Sequence, residues 1–289
     1  MKEGKASLLL LLTSLIWGLS FVSQSVSAGS VEACTFNSIR FFLGALVLVP
    51  FALAELRKRK GDKAYWRSYA IGSVSCGLCL AAASYTQQVG VGLSGAGKGG
   101  FITSFYLILV PFLSVLAGKK VGLRIWLSGI AAVGGMYLLT LGGGKTGIAR
   151  GDLWLLCCAL FFAFHIMVID RTGKALDGIS LSMGQFLVAG IVSFPGLVLE
   201  APTAKAVLSV ALPIAYSGCL SCGVAYTLQV VAQKRVSPSK ATLLMSLESV
   251  WAAVGGAVIL SERLTGIEAI GCIIVFASVL FSQLSPSSK

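Results

Sequence analysis

Apolar positions run along this chain in long blocks, without the short alternations of a soluble domain. Ten blocks can be marked, at roughly 6–28, 31–55, 67–90, 97–117, 123–141, 152–171, 179–199, 206–232, 239–260 and 265–284. A hydrocarbon core about 30 Å thick is crossed by about 20 residues of α-helix. Only helices and closed barrels satisfy their backbone groups in lipid. Continuous blocks, unlike the alternating segments of about ten residues found in barrels, predict helices. The expected fold is an all-α integral membrane protein with ten transmembrane helices. Its linkers are short and polar, the sharpest being Arg57–Lys63, with Gly142–Lys145 near the middle. The first block follows Lys2 and Lys5, as a signal peptide would, and Val26-Ser27-Ala28 has the form of a cleavage site. Its length, and the polar groups of Trp17, Ser20, Ser23 and Gln24 within it, predict a retained helix instead.

Composition narrows the class. The 289 residues are 56% hydrophobic and only 12% charged, with a mean hydropathy of +0.89. Soluble domains carry about a quarter charged residues. A cytosolic enzyme, a disordered chain and a secreted disulfide scaffold are therefore excluded.

The net charge of +12 reads as topology. If the N-terminus is cytoplasmic, one side collects Lys2, Lys5, Arg57–Lys60, Lys63, Arg67, Lys119, Lys120, Arg124, Arg171, Lys174, Lys234, Arg235, Lys240 and Lys289. The other side holds Lys98, Lys145, Arg150, Lys205 and Arg263. Cytoplasmic loops are enriched in Lys and Arg, so both termini are expected in the cytoplasm and the chain in the cytoplasmic membrane. Basic residues spread over many short loops do not make a nucleic-acid surface. The eight cysteines lie in or beside apolar blocks. Cys76-x-x-Cys79 and Cys219-x-x-Cys222 have no His or acid beside them and read as packing residues. No metal, cofactor or disulfide is expected.

The halves of the chain echo each other. Lys98–Tyr106 aligns with Lys240–Glu248 at a shift of 142, as does Gly129 with Gly271, while Tyr85-Thr-Gln-Gln88 aligns with Tyr226-Thr-Leu-Gln229 at 141. Each repeat has five spans, at 1–145 and 146–289. An odd number of spans forces the copies to cross in opposite senses, giving two inverted five-helix repeats. Inverted repeats are characteristic of secondary transporters.

Trp17-Gly-Leu-Ser-Phe21, Arg40-Phe41, Lys98–Tyr106, Lys240–Glu248 and Ser261-Glu-Arg-Leu264, in that order and spacing, resemble the EamA branch of the drug/metabolite transporter superfamily over nearly the whole chain. The resemblance implies a ten-helix fold with a central cavity. It also implies movement of a small organic solute, often outward, by a proton-coupled or a passive route. Leu107 and Ser249 stand where the family usually has Pro, which removes the usual cause of a kink there, although Pro111 could bend the fourth helix one turn later. Lys119-Lys120 also stand where an acid is common.

Charges inside spans are costly and therefore informative. Of the eleven acids only Glu248 lies deep, roughly 15 Å from the inner face by helical rise. Its carboxylate either binds a proton or a cationic group, or is held structurally by hydrogen bonds. Tyr106 occupies the equivalent place in the first repeat. Arg40 lies roughly 10–14 Å from the outer face. It can pair with Glu248, share a zwitterionic substrate with it, or snorkel outward. His165, the only histidine, is a proton-relay candidate, though a lone His more often donates one bond within a bundle. Asn37, Tyr85, Gln88, Tyr226 and Gln229 could bind a solute or hold helices together. Trp17 and Trp251 are candidate cavity aromatics.

The function expected is alternating-access transport of an amino-acid-like solute or an amphipathic amine, with export the favoured direction and proton coupling open. A passive facilitator and a nucleotide-sugar carrier remain as alternatives, the latter wanting more buried basic residues. Metalloprotease, hydrolase and P-loop motifs are absent, so neither an enzyme nor an ATP-driven pump is expected. The expected partners are the solute, protons and the bilayer.

Overall fold

The computed structural model describes residues 1–141, 149–259 and 265–283. Gly142–Lys145, the repeat boundary, the Ser261–Leu264 motif and the basic residues Lys145, Arg263 and Lys289 lie outside the described residues. The chain is a multi-pass membrane bundle of ten helices. Nine are long and apolar enough to span a membrane among the described residues, and the tenth is a shorter apolar helix. They are α1 (Glu3–Ala28), α2 (Ala33–Arg57), α3 (Lys63–Ser94), α4 (Ala96–Leu116), α5 (Leu123–Leu141), α6 (Arg150–Thr172), α7 (Gly178–Glu200), α8 (Ala211–Gln233), α9 (Pro238–Ile259) and α10 (Gly266–Gln283). These bounds lie within a few residues of the apolar blocks. The block at 206–232 is subdivided, since a short helix, Ala204–Ser209, precedes α8.

Bilayer length and apolar composition set these helices, and local chemistry sets their ends. Asp177 starts α7 by accepting from the N–H groups of Ile179 and Ser180. Asp62 does the same for α3 through Tyr65 N–H, the usual N-cap geometry. Between α3 and α4 the chain does not leave the bundle. It turns at Gly95, whose φ of 85° and ψ of 169° are open to glycine and costly for other residues. Large apolar side chains on the outer surface, such as Leu46, Leu116, Leu199 and Leu212, face the space that lipid tails would fill.

Helix packing follows the order of the repeats. α3 packs on α6 and α8 on α1, α4 on α6 and α9 on α1, and α3 on α7 and α8 on α2. α2 meets α7 and α5 meets α10. The α5–α10 pair contributes nothing to the central cavity. The α1–α9 crossing is close: a Cβ on Gly18 would collide with Trp251 Cβ and sit 2.8 Å from the Glu248 carbonyl oxygen.

Two helices break at equivalent places. α4 is interrupted by a turn at Ser104–Phe105 and α9 by a turn at Ser246–Leu247, again 142 residues apart. Pro is not the cause, since Leu107 and Ser249 follow the breaks. In each turn a serine hydroxyl donates to a backbone carbonyl, from Ser104 to Gly100 O at 2.8 Å and from Ser246 to Leu243 O at 2.8 Å. Ser249 also donates to Ser246 O, at 2.8 Å. Such bonds compete with the helix ladder and bend it. α8 is distorted differently, with a π-helical stretch at Tyr216–Tyr226. Wide turns of this kind are frequent at functional sites.

Candidate functional site

The breaks in α4 and α9 present Tyr106 and Glu248 as the first residues of the second half-helices. The two side chains meet at the centre of the bundle, where Tyr106 Oη donates to Glu248 Oε1 at 2.8 Å. Ser104 Oγ lies 3.3 Å from the same oxygen and 2.8 Å from Gly100 O. Its single proton serves one acceptor at a time. Donation to Glu248 therefore releases the carbonyl at the helix break, and donation to Gly100 releases Glu248.

Glu248 lines a narrow cavity formed by seven helices: Trp17, Ser20, Phe21 and Gln24 from α1, Arg40 from α2, Gln87 from α3, Thr103 and Tyr106 from α4, Phe162 and Ile166 from α6, Ser221, Tyr226 and Gln229 from α8, and Glu248 from α9. Its volume is about 20 Å³, room for one or two waters. A volume of this size is too small for an organic solute.

The cavity wall carries polar groups that are incompletely satisfied. Arg40 is 2% exposed, and its guanidinium lies 5.1 Å from the Phe36 ring centre and 5.0 Å from that of Phe41. Its Nε and Nη2 have no hydrogen-bond partner, and the salt bridges of the described residues do not include it. Gln24 Oε1, Gln229 Oε1 and Trp17 Nε1 are likewise buried without partners. Buried polar groups are normally satisfied. Several unsatisfied donors and acceptors therefore surround this one cavity. An aromatic wall completes it, with Trp17 and Tyr226 at 4.6 Å between centroids.

The other sequence candidates fall into two groups. His165 is fully buried behind this wall. Its Nε2 bonds Gln185 Oε1 at 2.8 Å, and its ring stands edge-on to Tyr226 at 6.0 Å. Asn37 is buried with both amide atoms unpartnered and is not in the cavity lining. Gln88 points to α1, donating to Gln24 O at 3.1 Å. Its neighbour Gln87 lines the cavity instead. Tyr85 is 39% exposed on the outer surface against Trp154, and Trp251 packs at the α1–α9 crossing. Sequence reasoning missed Ser20, Gln24, Gln87, Thr103, Ser104 and Ser221 as site residues. One signal for Gln87 was available: at the shift of 142 its mate is Gln229, whereas the local match at 141 favoured Gln88.

Both ends of the bundle carry an ion pair whose lysines are repeat mates at the shift of 142, while their acids stand at non-equivalent positions. On the face opposite the N-terminus, Lys98 at the start of α4 meets Asp152 of α6 at 2.9 Å. On the N-terminal face, Lys240 at the start of α9 meets Glu3 of α1 at 2.7 Å.

The EamA-like transporter family matches the chain twice, over residues 4–141 and 149–284. An uncharacterized transporter of Archaeoglobus fulgidus is 31% identical over 285 residues, covering 98% of this chain and 87% of its own. The uncharacterized transporter YoaV of Bacillus subtilis is 22% identical over 99% of both chains. The threonine/homoserine exporter RhtA of Salmonella typhimurium is 28% identical over 165 residues, 56% of this chain and 54% of RhtA. A solved crystal structure, 19% identical, shares the fold with a TM-score of 0.77 over 98% of each chain.

Proposed function

Because the chain belongs to the EamA-like transporter family, within the drug/metabolite transporter superfamily, we propose that it exports a small zwitterionic metabolite of the amino-acid class across the cytoplasmic membrane by alternating access. The observation that carries this reading is the pair of opposite charges on one cavity that do not neutralise each other. Glu248 is held by Tyr106, and Arg40 keeps two donor nitrogens without partners. A guanidinium in this setting takes a carboxylate in a fork. The Glu248 carboxylate takes an ammonium group, and the Trp17–Tyr226 wall takes the side chain. Gln24 and Gln229 supply further acceptors. The threonine/homoserine export of RhtA agrees in class and direction.

The repeats 1–145 and 146–289 rock as two halves about the Tyr106–Glu248 contact. On this reading the Lys98–Asp152 pair guards one mouth and the Lys240–Glu3 pair the other, each joining the two repeats. Opening requires one pair to part while the other holds, which gives each face access in turn. With the basic-rich N-terminal face in the cytoplasm, Lys240–Glu3 is the inner pair. Proton coupling enters through Glu248: protonated, it no longer demands the Ser104 proton, and Ser104 is free to close the carbonyl of Gly100.

The test is counterflow in proteoliposomes loaded with neutral amino acids such as threonine. Uptake of labelled solute that requires unlabelled solute inside is the expected result. Flux independent of internal solute would make the protein a pore, and no counterflow with any zwitterion would remove the substrate class.

A further inference from the structure

A second cleft lies on the N-terminal face, one helical turn below the central cavity along α6 and α8: its Asp170 and Gln233 follow the cavity's Ile166 and Gln229 by four residues, and Gln233 Nε2 donates to Ile166 O at 3.4 Å, although the two share no lining residue. It is bounded by the α4–α5 turn, the end of α6 and the start of α9, and its volume is about 500 Å³. Five cationic side chains border it, namely Lys119, Lys120, Lys174, Lys234 and Arg235, against a single acid, Asp170. That acid is already engaged: it accepts from Lys119, and Lys174 approaches it to 3.9 Å. Lys234 is half-buried and donates to the Leu176 carbonyl. Burial pulls its pKa below the ordinary lysine value, a sign that its charge is poorly solvated there. The start of α9 also opens on the cleft through Ser237, Pro238 and Ser239. Pro238 sits at the first turn and the Ser237 side chain makes no cap bond. The first N–H groups of a helix have no intrahelical partners, and the positive end of its dipole favours an anion.

We propose that this cleft is a binding site for a phosphate group. Cations of one sign gathered around a partly enclosed space repel one another, and an anion of more than one charge relieves that repulsion. A phosphate also has enough oxygens to meet several ammonium groups, a guanidinium and a helix start together. The cleft opens where a bilayer's headgroups would lie, so the phosphate comes either from an anionic lipid or from a soluble phosphate compound.

The experiment uses the full chain and leaves transport aside. In uncharged detergent, thermal unfolding is followed with sodium phosphate against sodium chloride at matched ionic strength. In a second arm, nanodiscs of phosphatidylcholine are compared with nanodiscs containing phosphatidylglycerol, and retained lipid is counted by native mass spectrometry. The comparison protein is the double variant Lys120→Gln/Arg235→Gln, which removes two exposed charges and no buried contact. Stabilisation by phosphate, retention of phosphatidylglycerol, or both is expected, with apparent affinity on the order of tenfold weaker in the double variant. Retention of lipid alone assigns the site to a headgroup, and stabilisation by phosphate alone assigns it to a soluble compound. No effect in either arm, or an effect unchanged in the double variant, overturns the proposal.

Discussion

At the start of α4 the Lys98 ammonium reaches Asp152 of α6, and 142 residues later, at the start of α9, the Lys240 ammonium reaches Glu3 of α1. The surroundings differ. Asp152 has a side chain 8% exposed and also accepts from Ser94 Oγ at 2.8 Å and Ala149 N at 2.9 Å. Glu3 has a side chain 30% exposed, at the first turn of the first helix. A partly wet pair is screened and worth little, whereas a buried carboxylate held by several donors is costly to disturb. The equivalent lysines thus find acids at different positions of α6 and α1, with unequal grip. On the alternating-access reading, the mouth on the N-terminal face opens more readily, which suits a carrier that loads from that side. The centre shows the same divergence, since equivalent positions carry a phenol, Tyr106, and a carboxylate, Glu248.

The largest effect expected falls on the central pair. Glu248→Gln keeps the shape and removes the charge, and counterflow should fall by about 100-fold, in line with about 2–5 kcal/mol for losing one member of a buried charged set. Its pH dependence should vanish with it. Tyr106→Phe removes one hydrogen bond to a charged group, about 1.5–3 kcal/mol, and should cost on the order of tenfold or more. Equal losses in the two variants would mean that the mates are interchangeable and the comparison empty.

The mouths come next. Asp152→Asn should lower the unfolding midpoint more than Glu3→Gln, by about 2 kcal/mol against less than about 1 kcal/mol. In transport the order should reverse in kind. Asp152→Asn should expose the cavity to thiol or carboxyl reagents from the face opposite the N-terminus, and Glu3→Gln from the N-terminal face. Both variants reacting from the same face would break the assignment of one pair to each mouth.

The helix breaks give a smaller contrast. Ser104→Ala removes a hydroxyl shared between Glu248 and the α4 break, whereas Ser246→Ala removes one that bonds only its own helix in the structure. The first should shift the pH profile of transport and the second should not. Each should change stability by about 1 kcal/mol or less. A shift of the profile in both variants would detach the effect from Glu248.

The ten spans were legible because hydrophobic length is a one-dimensional property, and lipid fixes how long a span must be. Glu248 and Arg40 stood out for the same reason, as charges where charge is expensive. The breaks were less legible. The sequence lacks the Pro that would have announced them, and a serine hydroxyl competing for a helix carbonyl looks like any other serine. Which face a polar residue takes was harder still. Tyr85 and Tyr226 are identical in type, yet one lies on the outer surface and the other in the cavity wall. Helix rotation decides this, and the one-residue change of shift near the π-helical stretch of α8 is where the two repeats lose register.

That register supplies the finest distinction. If Gln87 and Gln229 are the working mates, Gln87→Leu should weaken counterflow by a few-fold, the worth of about one hydrogen bond to solute. Gln88→Leu loses a bond to the Gln24 backbone instead, so it should lower stability by about 1 kcal/mol and leave affinity nearly unchanged. Tyr85→Leu, which exchanges one lipid-facing ring for another apolar surface, should change neither by as much as twofold. Half-saturation concentrations for the three variants, measured alongside their unfolding midpoints, separate these cases. A loss of affinity confined to Gln88→Leu would return the alignment to 141 and require α3 to be turned by about 100° about its own axis, so that Gln88 and not Gln87 faces the solute.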